Sequence, residues 1–298
     1  VYKVEIGVRP TIVVKRALPK LRVTQDWRAP PERSIAEVGW MRLVAGINRD
    51  WVPKILGEDH AHHLFATEFL GPDSHPLWKS QLAAGRVDER FAAIVGSVLA
   101  KIHSRTAGNT AVAHSFANDA QFHALRLEPY LLFTAGRHPD LAGEIRDVTT
   151  AIAKSRIALM QGDISPKNIL CGPSGPVFLD AETACYGDPA FDLAFCLNHF
   201  LLKSVWHPNW KDGYARAFDA LRRSYLAGVT WEEADSIDRR SARLLPMLFL
   251  ARVDGKSPVE YLTDQRDKTF VRTQARKMIE RPSDTLDELA RRYFTGSR

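Results

Sequence analysis

Hydrophobic positions along the chain change their period near residue 70. Before it, Val1 to Ile6 and Thr11 to Arg16 are β-rich runs around a Gly7 to Pro10 turn, which predicts an antiparallel hairpin ending in Val13-Val14-Lys15. Pro30-Pro31 then opens a helical segment in which Ile35, Val38, Met41 and Val44 recur in threes, and strands are predicted at Val52 to Leu56 and Leu64 to Phe69. Beyond Gly71 helical spacing takes over. Phe91, Ile94, Val95, Val98, Leu99 and Ile102 form one stripe, and Leu141, Ile145, Val148 and Ile152 a second. Trp210, Tyr214, Phe218, Leu221 and Tyr225 form a third, closed by Gly228 at a C-cap position. Thr230 to Glu233 and Ser257 to Glu260 have capping-box spacing, the latter with Pro258 at the first helical position, and predict two late helix starts. Phe191 to Leu202 is apolar nearly all round, as a buried helix is. The pattern predicts an α+β protein with a small sheet and one helix over residues 1–70 and a mainly helical region over 71–298.

One interruption of the helical region carries the candidate chemistry. Ile157 to Met160, Ile169 to Cys171 and Val177 to Asp180 are short strand-like runs, the last two joined by the turn-forming string Gly172-Pro173-Ser174-Gly175. Asp163 follows the first strand, Asn168 stands at the entry to the hairpin, and Asp180 ends its returning strand, so the hairpin folds Asn168 and Asp180 back onto one site. Two oxygen-bearing side chains there suit Mg²⁺, a hard cation that accepts one or two protein ligands together with phosphate oxygens. Asp163 would face them. With an ordinary pKa of about 3.9 it is a weak base at neutral pH, suited to holding a hydroxyl in line and taking its proton late in a phosphoryl transfer.

Composition narrows the partners. With 298 residues, 45% hydrophobic and 26% charged, the chain reads as a folded enzyme. Its apolar runs, such as LLPMLFLA from Leu244, fall far short of the roughly 18 to 20 residues of a membrane helix, and no leader opens it, so no membrane partner is expected. Lys and Arg number 41 against 35 Asp and Glu; this +6 is spread without a basic block, which argues against nucleic acid. Cys171, Cys185 and Cys196 are odd in number and lack CxxC spacing, so neither a disulfide framework nor a zinc site is implied and a reducing, cytoplasmic setting is expected. His60, His62 and His63 cluster without the i, i+4 spacing of a zinc helix and read as an exposed turn.

The strings QGDISPKN, VFLD and GDPAFDLAF follow, in order, the pattern HGDxxxxN, a strand ending in Asp, and GDPxxDLA. The chain therefore resembles the aminoglycoside phosphotransferase and choline kinase family. VVKRA at Val13, the helix containing AEVGWMRL, the strand running into TEFLG and the LAKIHS string at Leu99 extend the resemblance over most of residues 1 to about 200. It implies a two-lobed protein-kinase-like fold, with ATP and Mg²⁺ as cofactors and a small-molecule hydroxyl compound as acceptor. Carried over by position, it makes Asp163 the catalytic base, Asn168 and Asp180 the metal ligands, and Lys15 the lysine on the nucleotide phosphates. Glu37 pairs with that lysine, Glu68, Phe69 and Leu70 form the hinge that holds adenine, and Asp192 buttresses the catalytic loop from within. Lys167 and Glu182 flank the metal and phosphates. There are two departures: Gln161 stands where the family has histidine, and the first strand and glycine-rich loop that the family places ahead of Val1 lie outside this numbering.

Residues 201–298 hold 19 Lys and Arg against 14 Asp and Glu, a surplus that disfavours a polycationic aminoglycoside and favours a sugar or sugar acid. Arg252 and Lys256, at a corner where one helix is predicted to yield to another, are candidate acceptor contacts. Two rival functions differ in kind. A protein kinase would need a peptide platform, for which GDPxxD directly after the metal strand leaves no room. A nucleotide-binding pseudokinase is suggested by Gln161 and opposed by the presence of Asp163, Asn168 and Asp180 together.

Overall fold

The computed structural model describes residues 1–5, 7, 10–19 and 30–296. The β-branched runs pair as their alternation demands. β1 (Tyr2–Val4), β2 (Ile12–Arg16), α1 (Arg33–Ile47), β3 (Ile55–Asp59) and β4 (Leu64–Glu68) make a small lobe whose sheet is antiparallel in the order β1-β2-β4-β3. Lys15 pairs with Phe65 in that register. Ile6, Val8 and Arg9 of the expected hairpin lie outside the described residues. α1 buries Val38, Trp40, Met41 and Val44. Ile35, expected on the same stripe, is instead 55% exposed. The first turn of α1 directs Arg33, Ser34 and Glu37 inward, which rotates Ile35 out.

The larger lobe contains α2 (Trp78–Ala83), α3 (Glu89–Thr106), α4 (Thr110–Ser115), α5 (Asp119–Phe122), a π-helix (His123–Leu132), α6 (Phe133–Arg137) and α7 (Ala142–Lys154). Four short strands follow: β5 (Ala158–Met160), β6 (Ile169–Gly172), β7 (Gly175–Phe178) and β8 (Cys185–Gly187). β6 and β7 form the expected hairpin, with Gly172 opposite Gly175, and β5 pairs with β8. The chain then runs through α8 (Ala190–Trp206), α9 (Lys211–Ala227), α10 (Ala234–Asp254), α11 (Gln265–Glu280) and α12 (Leu286–Thr295). α8 is the axis of the core: every residue from Ala190 to Val205 is buried, with α9 and α10 packed against it. None of the described helices is long and apolar enough to cross a membrane.

One helix-end expectation holds and two fail, because other side chains take the capping groups. Gly228 stands at the C-cap of α9, as expected, with φ −93°, outside the left-handed region; its lack of a side chain serves packing, since a Cβ there would lie 2.8 Å from Ala100 Cβ. The Thr230 and Ser104 hydroxyls share a hydrogen bond of 2.6 Å, and α10 starts only at Ala234. No helix begins at Ser257, whose hydroxyl accepts from Arg252 at 3.3 Å; α11 starts at Gln265, capped by Asp264.

α3 and α9 approach closely at Gly96, where a Cβ would stand 2.3 Å from the Leu221 carbonyl oxygen. Backbone cannot rotate aside as a side chain can. Gly96→Ala is expected to cost about 1–3 kcal/mol in urea denaturation, whereas Gly46→Ala in α1, where a new methyl meets nothing within 4 Å, leaves stability unchanged or slightly raised.

Candidate active site

The chain leaves β5 through a turn set by glycine and held by a buried carboxylate. Gly162 has φ +80°, and a Cβ on it would lie 2.6 Å from Thr183 Oγ1. Asp192, fully buried in the first turn of α8, accepts the N–H of Gln161 at 2.7 Å and of Gly162 at 2.8 Å. His103 Nε2 lies 3.3 Å from the same carboxylate, and its Nδ1 lies 2.8 Å from the Tyr225 hydroxyl. Charge-assisted bonds of this kind are the strong ones.

Gln161 does with an amide what two ring nitrogens would do less fully. Its Oε1 accepts the Asp163 N–H at 2.7 Å, while Nε2 donates to the carbonyls of Leu179 at 2.7 Å and Asp180 at 3.2 Å. One side chain therefore ties the Asp163 turn to the end of β7. It also steadies Asp180, whose φ of +62° is costly for a residue with a side chain.

Asn168 and Asp180 flank the open end of the hairpin, on its two strands' outer ends. Leu179 N–H donates to the Asn168 carbonyl at 2.8 Å, one step beyond the Ile169–Phe178 pair. Asn168 Nδ2 donates to the Asp163 carbonyl at 3.0 Å, which leaves Oδ1 as its remaining acceptor. From the sheet side, Lys15 Nζ reaches Asp180 Oδ1 and lies 2.9 and 2.7 Å from the two oxygens of Glu37. Burial pushes the Lys15 ammonium down, but Asp180, Glu37 and Glu182 outweigh it and hold the group above its ordinary value. Burial pushes the Glu37 carboxyl up to about 7 against the pull of Lys15. Burial would raise Asp180 too, yet Lys15 and Lys167 hold it at about 2, so it is ionised at neutral pH. Glu182 is bound at 2.9 Å by Arg33 Nε.

Asp163 is nearly enclosed, its side chain 5% exposed. Oδ2 lies 3.0 Å from Arg126 and 3.1 Å from Lys167, whereas Oδ1 is buried with no partner among the described residues. Arg126 was invisible to the sequence reading. It projects from the π-helix, donates from Nε to the Gly162 carbonyl at 2.5 Å, and is itself buried. The available signal was Pro129 inside a helical pattern: it has no N–H to give, and helices widened to π geometry often stand at functional sites.

The remaining candidates lie apart from this cluster. Glu68 turns its carboxylate back to the Lys54 N–H at 2.8 Å, and the Phe69 ring lies 4.9 Å from Lys3 Nζ. Leu70 lines a cavity of about 210 Å³ beside the hairpin turn Gly172–Gly175, which none of Lys15, Asp163 and Asp180 lines. Lys256 is paired with Glu128 at 2.7 and 2.8 Å. Arg252 is buried, bonded to the Tyr130 hydroxyl at 3.2 Å and to Ser257.

The family model described as "Phosphotransferase enzyme family" matches residues 1–232. The chain belongs to that family. Methylthioribose kinase of Escherichia coli O45:K1 (strain S88 / ExPEC) is 25% identical over 72% of this phosphotransferase-family chain and 57% of its own length, so the chain spans little more than half of that relative. A choline/ethanolamine kinase family protein from Mesorhizobium loti superposes with TM-score 0.52 at 18% identity, covering 88% of this chain and 83% of its own. An amicoumacin kinase solved with AMP-PNP, Ca²⁺ and amicoumacin gives TM-score 0.56 at 12% identity, covering 93% and 83%. The shared fold is the two-lobed protein-kinase-like one, an α+β architecture as expected.

The donor set suits a hard divalent cation. It consists of one ionised carboxylate, Asp180, and one amide oxygen, on Asn168, beside a place where the Lys15 ammonium already supplies positive charge. Gln161→Ala removes three hydrogen bonds and leaves the Asp163 N–H unpaired. A stability loss of about 2–3 kcal/mol is expected in chemical denaturation, with Gln161→His retaining more of the stability than Ala.

Proposed function

We propose that this protein is an ATP-dependent kinase that moves a γ-phosphoryl group to a hydroxyl of a small metabolite. The observation that carries the reading is the unpartnered, buried Oδ1 of Asp163, which Gln161 ties to the end of the strand where Asp180 meets Lys15. A buried carboxylate oxygen without a donor is costly unless a ligand supplies one, and an acceptor hydroxyl does so.

In this reading Asp163 is the base. Its Oδ1 receives the hydroxyl hydrogen bond and orients the oxygen for in-line attack, then takes the proton as the new O–P bond forms. Arg126 and Lys167 hold Oδ2, so the carboxylate cannot rotate away. Asn168 and Asp180 are the residues that would hold Mg²⁺, which when bound neutralises phosphate charge. Lys15, positioned by Glu37, turns from Asp180 to the nucleotide phosphates, and Glu68, Phe69 and Leu70 form the crossing at which adenine is held. The division between lobes falls at residue 70. α8 begins at Ala190, directly after the GDP turn, so no segment is available there for a peptide platform, which favours a small acceptor over a protein.

The same chemistry is borne by relatives named for methylthioribose and choline or ethanolamine phosphorylation. Asp163→Asn is expected to lower kcat by about 10²–10⁴-fold while Mg-ATP affinity by calorimetry changes little. Equal turnover by the variant and the wild type would remove Asp163 from the role of base.

A further inference from the structure

α8 carries two polar side chains in an otherwise apolar interior that the phosphate and metal chemistry does not use. His199 and Lys203 stand one turn apart, 7% and 1% exposed, yet His199 Nε2 and Lys203 Nζ have no hydrogen-bond partner among the described residues. The Lys203 ammonium instead lies 4.9 Å from the Tyr261 ring and 5.3 Å from the Trp206 ring. Glu260, the acid that acts on it, is engaged by Lys79. Arg252 Nε and the Tyr261 hydroxyl are also buried and unpartnered.

Every charge that acts most on His199 is positive: Arg252, Lys203, Lys167 and Lys79. Burial, then these cations, hold the ring well below its ordinary value, and burial with Lys79 brings Lys203 down to about 8. Unpaired cations in a closed interior are expensive, and an apolar residue at 203 would serve the core better. Contact with two aromatic faces recovers part of that cost; an anion between them recovers more.

The cluster is one aromatic layer from the reacting carboxylate. Arg126, bound to Asp163, lies 5.7 Å from the Tyr130 ring and 5.9 Å from the Phe195 ring. Arg252 lies 5.5 Å from the same Tyr130 ring, and the His199 ring is 5.8 Å from that of Phe195. We propose that the acceptor bears an anionic group, a carboxylate or a phosphate ester, which Lys203, His199 and Arg252 bind while its hydroxyl faces Asp163. The proposal rests on the phosphotransfer reading and adds the charge class of the substrate.

The test measures binding without nucleotide, by calorimetry, for gluconate, glucose 6-phosphate, xylitol and glucosamine, and then ATP-dependent phosphorylation of each. Gluconate or glucose 6-phosphate should bind at least about tenfold more tightly than xylitol or glucosamine, and Lys203→Met and His199→Asn should each weaken that binding by about tenfold or more. Met matches the length of lysine without its charge, and the melting temperature reports that the fold is kept. Whichever anion prevails separates carboxylate from phosphate. Preference for xylitol or glucosamine, absence of anion binding, or undiminished anion affinity in both variants overturns the proposal. Mg-ATP binding, read on the same samples, fails only if the kinase reading itself fails.

Discussion

Asp192 accepts two consecutive backbone N–H groups, those of Gln161 and Gly162, from a position with no exposure to solvent, and the orientation of the Asp163 turn follows from that pair of bonds. A carboxylate so placed is tolerable because its neighbours are donors and because α8, which presents it, is fixed by burial along nearly its whole length. The turn then offers Gln161 to the hairpin, and that side chain bonds Asp163 on one side and the carbonyls of Leu179 and Asp180 on the other. The relative placement of Asp163 and Asp180 thus descends from one buried acid through one amide.

Charge is balanced across the cluster rather than within each pair. Lys15 serves both Glu37 and Asp180, and Arg126 and Lys167 share Asp163 Oδ2. Three cations thus face three carboxylates, Glu37, Asp180 and Asp163, and the set is neutral as it stands. Farther along α8 that pairing stops: Lys203 Nζ and His199 Nε2 have no hydrogen-bond partner among the described residues, which separates them from the groups around Asp163.

Local spacing made part of the site legible. Asn168 and Asp180 are brought together by a two-residue turn, Pro173-Ser174, which the Gly-Pro-Ser-Gly string encodes directly. The Lys15–Glu37 pair was expected from the family resemblance alone, by position in VVKRA and AEVGWMRL, and the two side chains are in contact. What escaped depends on tertiary partners. Arg126 precedes Asp163 by 37 residues and is aimed by a π-helix, a geometry that apolar periodicity does not encode. The capping-box spacings at Thr230 and Ser257 predicted helix starts that do not occur there, because the two hydroxyls bond Ser104 and Arg252 in place of helix N–H groups. Phe191 to Leu202 announced burial, yet nothing in that pattern said that His199 and Lys203 would be buried without partners.

The central claim is that Asp163, Asn168, Asp180 and Lys15 converge on one ion and one terminal phosphate. A crystal structure of the protein with Mg²⁺ and a non-hydrolysable ATP analogue tests it most directly. The account requires the metal on Asn168 Oδ1 and the Asp180 carboxylate, with Lys15 moved from Asp180 onto the phosphates and the γ-phosphate facing Asp163. Nucleotide bound elsewhere, or Lys15 still closed on Asp180 with the metal away from both residues, would contradict it.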